Sequence, residues 1–179
     1  RLRRVTERSH LPYRAYLYED RDPNAAALAD GRIYLSTGMV EYLASRGSRV
    51  DELAFILAHE LAHTVAQHLV KRYRTLQQQQ FFMALVAAGA SAATRHAGSS
   101  TAQAGQLALN AASLLRDVAI SGYDQAQELE ADQLGIRYVI TAGFDPKAAL
   151  ALLGDFSRFE NPSPFLRTHP YVAQRRTDL

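Results

Sequence analysis

The sequence predicts a mainly helical α+β fold in a single domain, residues 1–179, with a small N-terminal antiparallel sheet. Three observations predict it. The first quarter alternates polar and apolar residues around an Asp30-Gly31 turn. Everything after Gly38 carries apolar residues at helical spacing between capping and stop signals. Of the 179 residues, 47% are hydrophobic, enough for one packed core.

The elements follow in order. Residues 1–11 are basic and polar. Residues 12–19 alternate as a strand, with Tyr13, Ala15 and Leu17 on one face. Asp20 to Asn24 contains Asp-Pro-Asn and reads as a turn. Residues 25–29 and 32–36 flank Asp30-Gly31, a hairpin pair that tolerates positive φ. Thr37 is placed to cap a helix over 38–46, and Gly47 to stop it. Ser48 to Asp51 forms a capping box that opens a long helix over 50–74. Gln77 to Gln80 reads as exposed helix or linker. Residues 81–93 are the most apolar stretch, and at about 13 residues too short for a bilayer, which needs about 20. Gly98, Ser99, Ser100 and Gly105 mark a flexible region, so 76–105 reads as completing the core, touching a membrane surface or forming a lid. Helices are expected over 106–120 and over 124–142, the latter ending at Gly143. Asp145-Pro146 opens another to 157. Asn161 to Pro170 reads as loop, and Pro170 starts a short last helix.

Composition narrows the chemistry. With no Cys there are no disulfides and no thiolate metal sites, which leaves His and carboxylate ligands. Net charge is +2, and the basic residues, mostly Arg, are dispersed apart from Arg1, Arg3, Arg4 and Arg8. No basic face interleaved with aromatics is present, so no nucleic-acid partner is expected. The first residue is Arg rather than Met, as in a trimmed or mature chain.

His59-Glu60-Leu61-Ala62-His63 is an H-E-x-x-H pattern. Residues four apart on a helix share a face, about 6 Å apart along the axis, so both imidazoles can reach one zinc at about 2.0–2.1 Å. Glu60, about 100° further round the axis, stands beside that metal, where a base for water is needed. The surrounding run is apolar, and buried His and Glu need partners, which a metal supplies. His68, five residues after His63, falls about 140° away and reads as a surface or packing histidine.

A catalytic zinc site needs a third protein ligand and an open position. Glu128-Leu129-Glu130-Ala131-Asp132 is the best source. Glu128 and Asp132 share a helix face, so one can bind the metal while the other accepts an N–H from a ligand His. Geometry alone leaves the choice open; the longer reach of Glu favours Glu128. Glu130 points elsewhere.

These residues resemble zinc metallopeptidases of the HtpX and CAAX-prenyl-protease type, and more closely their soluble bacterial BepA-like branch. Three segments carry the resemblance: His59 to His63, Glu128 to Gly135, and Thr168-His169-Pro170 followed by Arg175. Asn24-Ala25 through Gly31 to Gly38 is a softer match. The resemblance implies a zincin fold of the gluzincin kind, one Zn2+ per chain held by His59, His63 and Glu128, and Glu60 as catalytic base. It implies that Asp132 orients His59, that His169 stabilises the oxyanion and that Arg175 supports the site. It implies an edge strand at Ile33, Tyr34 and Leu35 along which an extended polypeptide lies. It further implies a bacterial cell-envelope setting, periplasmic or anchored to the membrane. One departure is Gln125, where the family commonly carries Arg. The rival readings are a gated peptidase-like domain with a chaperone or scaffold role, and a different zinc hydrolase such as an aminopeptidase.

Overall fold

The structure is a computed structural model that describes residues 1–47, 50–93, 122–158 and 164–179, with the helical backbone alone for 83–93. The capping box at Ser48, the glycines and serines of 98–105, the helix over 106–120 and the loop at Asn161 lie outside the described residues. The chain forms two compact units, one of residues 1–68 with 122–179 and one of residues 69–121.

The first unit opens with a 3-10 turn, Leu2–Arg4, then β1 (Arg14–Tyr18), β2 (Ala25–Ala27) and β3 (Arg32–Ser36). Gly31, at φ +93°, makes the β2–β3 turn; Leu11 and the Tyr13 ring close round it. β2 and β3 pair antiparallel, as the hairpin signal predicts, with Ala26 opposite Tyr34. β1 pairs with β3 in parallel, Tyr16 opposite Tyr34. The sheet is therefore mixed, not purely antiparallel, and its order is β1-β3-β2.

That order corrects one expectation. Ile33, Tyr34 and Leu35 sit on the central strand, with their backbone groups flanked on both sides. They are not an edge. Alternation marks strands but does not say which neighbours they take, and β3 inserts between two strands that precede it in the chain. The edges are β1 and β2.

Helix α1 runs Thr37–Ser45. Its cap is Ser36 rather than Thr37: Ser36 Oγ accepts from Met39 N at 3.0 Å. Gly47 (φ +94°) follows its end. The predicted helix over 50–74 is in fact two, α2 (Val50–Val65) and α3 (His68–Ala93), with Gln67 between them at φ +57°. Among the described residues, no helix is long and apolar enough to cross a membrane.

Helix α4 (Gln125–Thr141) starts at Asp124, whose side chain accepts from Gln127 N while Gln127 reaches back to the Asp124 backbone. Gln125 is exposed on its first turn. Helix α5 (Lys147–Phe156) follows Asp145-Pro146, and Asp145 Oδ1 accepts from Lys147 N at 2.9 Å. The stretch read as loop holds a one-turn helix, α6 (Pro164–Thr168), and α7 (Val172–Asp178) ends the chain. The core is built from α1, α2, α4, α5 and the inner face of the sheet: Leu35, Met39, Phe55, Ile56, Val139, Leu152 and Phe156 are buried together. Burying each such side chain is worth about 1.5–3 kcal/mol, and the burial holds α2 and α4 face to face.

Candidate active site

Helices α2 and α4 pack on each other more extensively than any other pair of described elements. Gly135 permits the approach. A Cβ there would stand 3.2 Å from His59 N and 3.3 Å from His59 Cα, atoms of a helix backbone that cannot yield. The result faces His59, Glu60 and His63 on α2 with Glu128 and Asp132 on α4, all five buried. His169, just after α6, and Arg175, on α7, close the remaining sides and are also buried. His169 is anchored by its N–H to Phe165 O at 2.8 Å, and Phe165 stacks on its ring.

Nitrogen and oxygen atoms converge at one point. His59 Nε2 and His63 Nε2 are 2.9 Å apart. Glu128 Oε1 is 3.4 Å from His63 Nε2, and Oε2 is 3.6 Å from His59 Nε2. His169 Nδ1 is 3.2 Å from His59 Nε2 and 3.1 Å from Glu128 Oε1. The donor atoms of these four residues all lie within 4.8 Å of one another. Ligand atoms about 2.0–2.1 Å from a tetrahedral zinc stand roughly 3.3–3.4 Å apart. The donor set, two or three imidazoles and one carboxylate, therefore fits a zinc-like cation. Glu60 stands beside it: both its oxygens are buried without a hydrogen bond, and Oε1 is 3.3 Å from His169 Nε2.

A second layer fixes the first. Asp132 Oδ1 faces His59 Nδ1 at 2.9 Å. Arg175 donates through Nε and Nη2 to the two Asp132 oxygens, each at 2.7 Å, pairs with Glu128 through Nη1, and reaches the carbonyls of His169 and Pro170. One guanidinium thus ties both carboxylates of α4 to the segment that carries His169.

The electrostatics follow the burial. Burial holds His63 well below the ordinary imidazole value, so it is neutral with a lone pair to offer. Burial alone would raise Glu128, but the neighbouring imidazoles, His169 first, outweigh it and hold the carboxyl well below the usual range. Asp132 behaves likewise: hydrogen bonds from His59 and Arg175 outweigh burial and lower it. His169 is raised, because the charges of Glu128 and Glu60 outweigh its burial.

All seven side chains expected at the site meet here: His59, Glu60, His63, Glu128, Asp132, His169 and Arg175. His169 lies directly after a helical turn rather than in an open loop, and its Nδ1 faces the same point as the ligand atoms of the other three. The sequence reading missed His68, Tyr123 and the part taken by Glu130. His68 is not on the surface. It is fully buried, its Nδ1 2.9 Å from His63 Nδ1 and its Nε2 3.0 Å from Glu130 Oε2. The Tyr123 ring stacks on His63, centroids 3.9 Å apart and planes inclined by 19°. No sequence signal announced His68, because Gln is not a residue that advertises positive φ.

Comparison with known proteins agrees with this geometry. The sequence model of peptidase family M48 matches residues 1–179. A beta-barrel assembly-enhancing protease of Yersinia pestis is 32% identical over 171 residues, covering 93% of this chain and 34% of the relative. The beta-barrel assembly-enhancing protease of Escherichia coli K12 is 30% identical over the same shares. The mitochondrial metalloendopeptidase OMA1 of Schizosaccharomyces pombe is 27% identical over 175 residues, 96% of this chain and 47% of the relative. The chain thus spans about a third of the length of the two bacterial relatives. With its whole length matched, the chain belongs to peptidase family M48, a family of metal-dependent peptidases.

Proposed function

We propose that this domain is a zinc-dependent endopeptidase for extended or misfolded polypeptides, with His59, His63 and Glu128 holding one zinc ion and Glu60 acting as base. The observation that carries the reading is the convergence of three buried ligand atoms beside a buried carboxylate without a hydrogen bond of its own. A zinc ion bound there supplies Lewis acidity and brings the pKa of water from 15.7 to about 7. Glu60 takes the water proton during attack on the scissile carbonyl and returns it to the leaving amine. His169 donates through Nε2 to the carbonyl oxygen as charge develops on it. Asp132 keeps His59 protonated on Nδ1, so that Nε2 presents its lone pair.

The substrate pairs in extended form with an edge of the sheet. β2 is the edge beside α2, but its Ala25 and Ala27 are buried, which leaves β1 (Arg14–Tyr18), exposed along most of its length, as the edge that can take it. Thr64, next to His63, donates to Leu28 O at 3.1 Å, which ties the sheet to the helix that carries the metal motif. Edge pairing fixes register without reading side chains, and so favours unfolded chains over a sequence motif. The names of the bacterial relatives refer to β-barrel assembly, and transmembrane β-barrels belong to outer membranes. They support a bacterial cell-envelope setting, periplasmic or membrane-anchored.

One observation favours a second reading. His169 Nδ1 lies within 4.8 Å of the ligand atoms of the other three, and four protein ligands close a zinc site. In that reading the domain rests in a gated state and serves mainly as a scaffold until His169 withdraws. The two readings differ in sign. Replacing an oxyanion donor lowers turnover by about 100- to 1000-fold, whereas removing a blocking ligand raises it. Casein digestion by wild type, by His169→Ala and by chelated protein with and without restored zinc separates them. Undiminished cleavage by zinc-free protein would refute both.

A further inference from the structure

Both histidines of the zinc motif use Nε2 toward the metal point, so each carries its proton on Nδ1 and needs an acceptor there. His59 has Asp132. For His63, among the described residues, Nδ1 faces not a carboxylate but the Nδ1 of His68, at 2.9 Å. That contact requires His68 Nδ1 to be the acceptor, which puts the His68 proton on Nε2. Glu130 Oε2 stands 3.0 Å from that nitrogen and accepts it. The donation therefore runs in one direction, from His63 to His68 to Glu130. We infer that His68 and Glu130 are positioning residues for the metal: they hold His63 in the tautomer and ring orientation that zinc binding needs.

The backbone is built for this contact. On a continuous helix His68 would lie about 140° from His63. The left-handed turn at Gln67 (φ +57°) ends α2 and swings the first residue of α3 back against it. A positive φ is strained on a residue other than glycine, and here the conformation places a buried imidazole on a ligand. The Tyr123 ring stacks on the face of the His63 ring and limits its rotation. Glu130 and Asp132 are neighbours on α4, so one helix serves both histidines, one directly and one through His68.

This inference rests on the metallopeptidase reading, and the experiment separates the two. The zinc dissociation constant is measured by chelator competition for wild type, His68→Phe, His68→Asn, Glu130→Ala and the double variant His68→Phe/Glu130→Ala. The melting temperature of each metal-free protein is recorded alongside. Removing an acceptor behind a ligand His costs about 10- to 100-fold in metal affinity, and that loss is expected for His68→Phe. Glu130 is half exposed, so water replaces it in part and Glu130→Ala is expected to lose about tenfold, the low end of that range. Asn sets a carbonyl oxygen where Nδ1 stood, and His68→Asn is expected to recover most of the affinity. In the double variant Glu130→Ala adds nothing, because it acts through His68. A His68→Phe protein that binds zinc within about twofold of wild type overturns the inference, as does full additivity of the two losses. If His68→Phe does not fold, Glu130→Ala and His68→Asn decide: an unchanged zinc constant for Glu130→Ala overturns it. Wild type that binds no zinc refutes the metallopeptidase reading and this inference together; wild type that binds zinc beside an indifferent His68→Phe refutes the inference alone.

Discussion

Arg175→Met is expected to destabilise the metal-free domain by about 3–5 kcal/mol. The side chain is 1% exposed and forms a fork with Asp132, an ion pair with Glu128 and hydrogen bonds to two carbonyls. Methionine fills most of the volume but leaves two buried carboxylates without their cation. Removing one partner of a buried pair costs about 3–5 kcal/mol, because the remaining charge stays desolvated. Against a total of about 5–15 kcal/mol, that is a large share of the fold. For a chain of this size each kcal/mol moves the melting temperature by about 2–4 °C, so a fall of about 6–20 °C is expected. Zinc must be chelated throughout, since ligand at 100 times its dissociation constant adds about 2.7 kcal/mol and masks the loss. The chain has no Trp, so urea unfolding is followed by circular dichroism. The reasoning also fixes a compensating change. Asn at position 132 needs no counter-charge, so Arg175→Met/Asp132→Asn is expected to be more stable than the sum of the single losses by about 1 kcal/mol or more. A single Arg175→Met variant within about 1 kcal/mol of wild type, at an unchanged urea slope, would refute the claim that Arg175 neutralises this pair.

Other expected outcomes test the site piece by piece. Glu60→Gln keeps zinc at one per chain by elemental analysis but loses casein cleavage; cleavage at the wild-type rate refutes the base assignment. His63→Ala loses zinc, and stoichiometric metal after dialysis counts against the ligand set. Gly135→Val pushes α4 off the α2 backbone at His59, at a cost of about 1–3 kcal/mol with weakened zinc binding; calorimetry and chelator competition read the two effects. Asp132 titrates below its ordinary 3.8 in the folded state. Its stabilisation is therefore complete above pH 3.8 and is lost as pH falls through the lower folded value. The gap in urea midpoint between metal-free wild type and Asp132→Asn should narrow over that acid range and stay flat above it.

The parts of the site legible in the sequence share one property: they depend on spacing within a regular helix. His59 and His63, or Glu128 and Asp132, face one way because four residues make about one turn, and no tertiary knowledge is needed. Asp30-Gly31 announced the β2–β3 hairpin for an equally local reason, since Gly31 must take φ +93°. What was not legible depends on breaks and on partners. The helix over 50–74 looked continuous because Ala66-Gln67 carries no Gly or Pro, yet Gln67 turns left-handed there. The same silence hid His68. Tyr34 looked like an edge because strand order is set by contacts between segments, and alternation reads the same in a central strand as in an outer one.

His169 shows where local reasoning stops being sufficient even when the residue is found. Its position after α6 puts Nε2 3.3 Å from Glu60 and Nδ1 3.1 Å from Glu128, so one ring faces the base with one nitrogen and a ligand with the other. Glu60 Oε1 nonetheless takes no hydrogen bond from it, so His169 Nε2 stays available to a substrate carbonyl. Glu60 sits mid-helix on α2, whereas His169 is held by Phe165 O, by Glu128 and by the Arg175 contact with its carbonyl. Arg175 bonds Asp132 behind His59, pairs with Glu128 and reaches that carbonyl, so loss of its side chain disturbs both the carboxylates of α4 and the placement of His169.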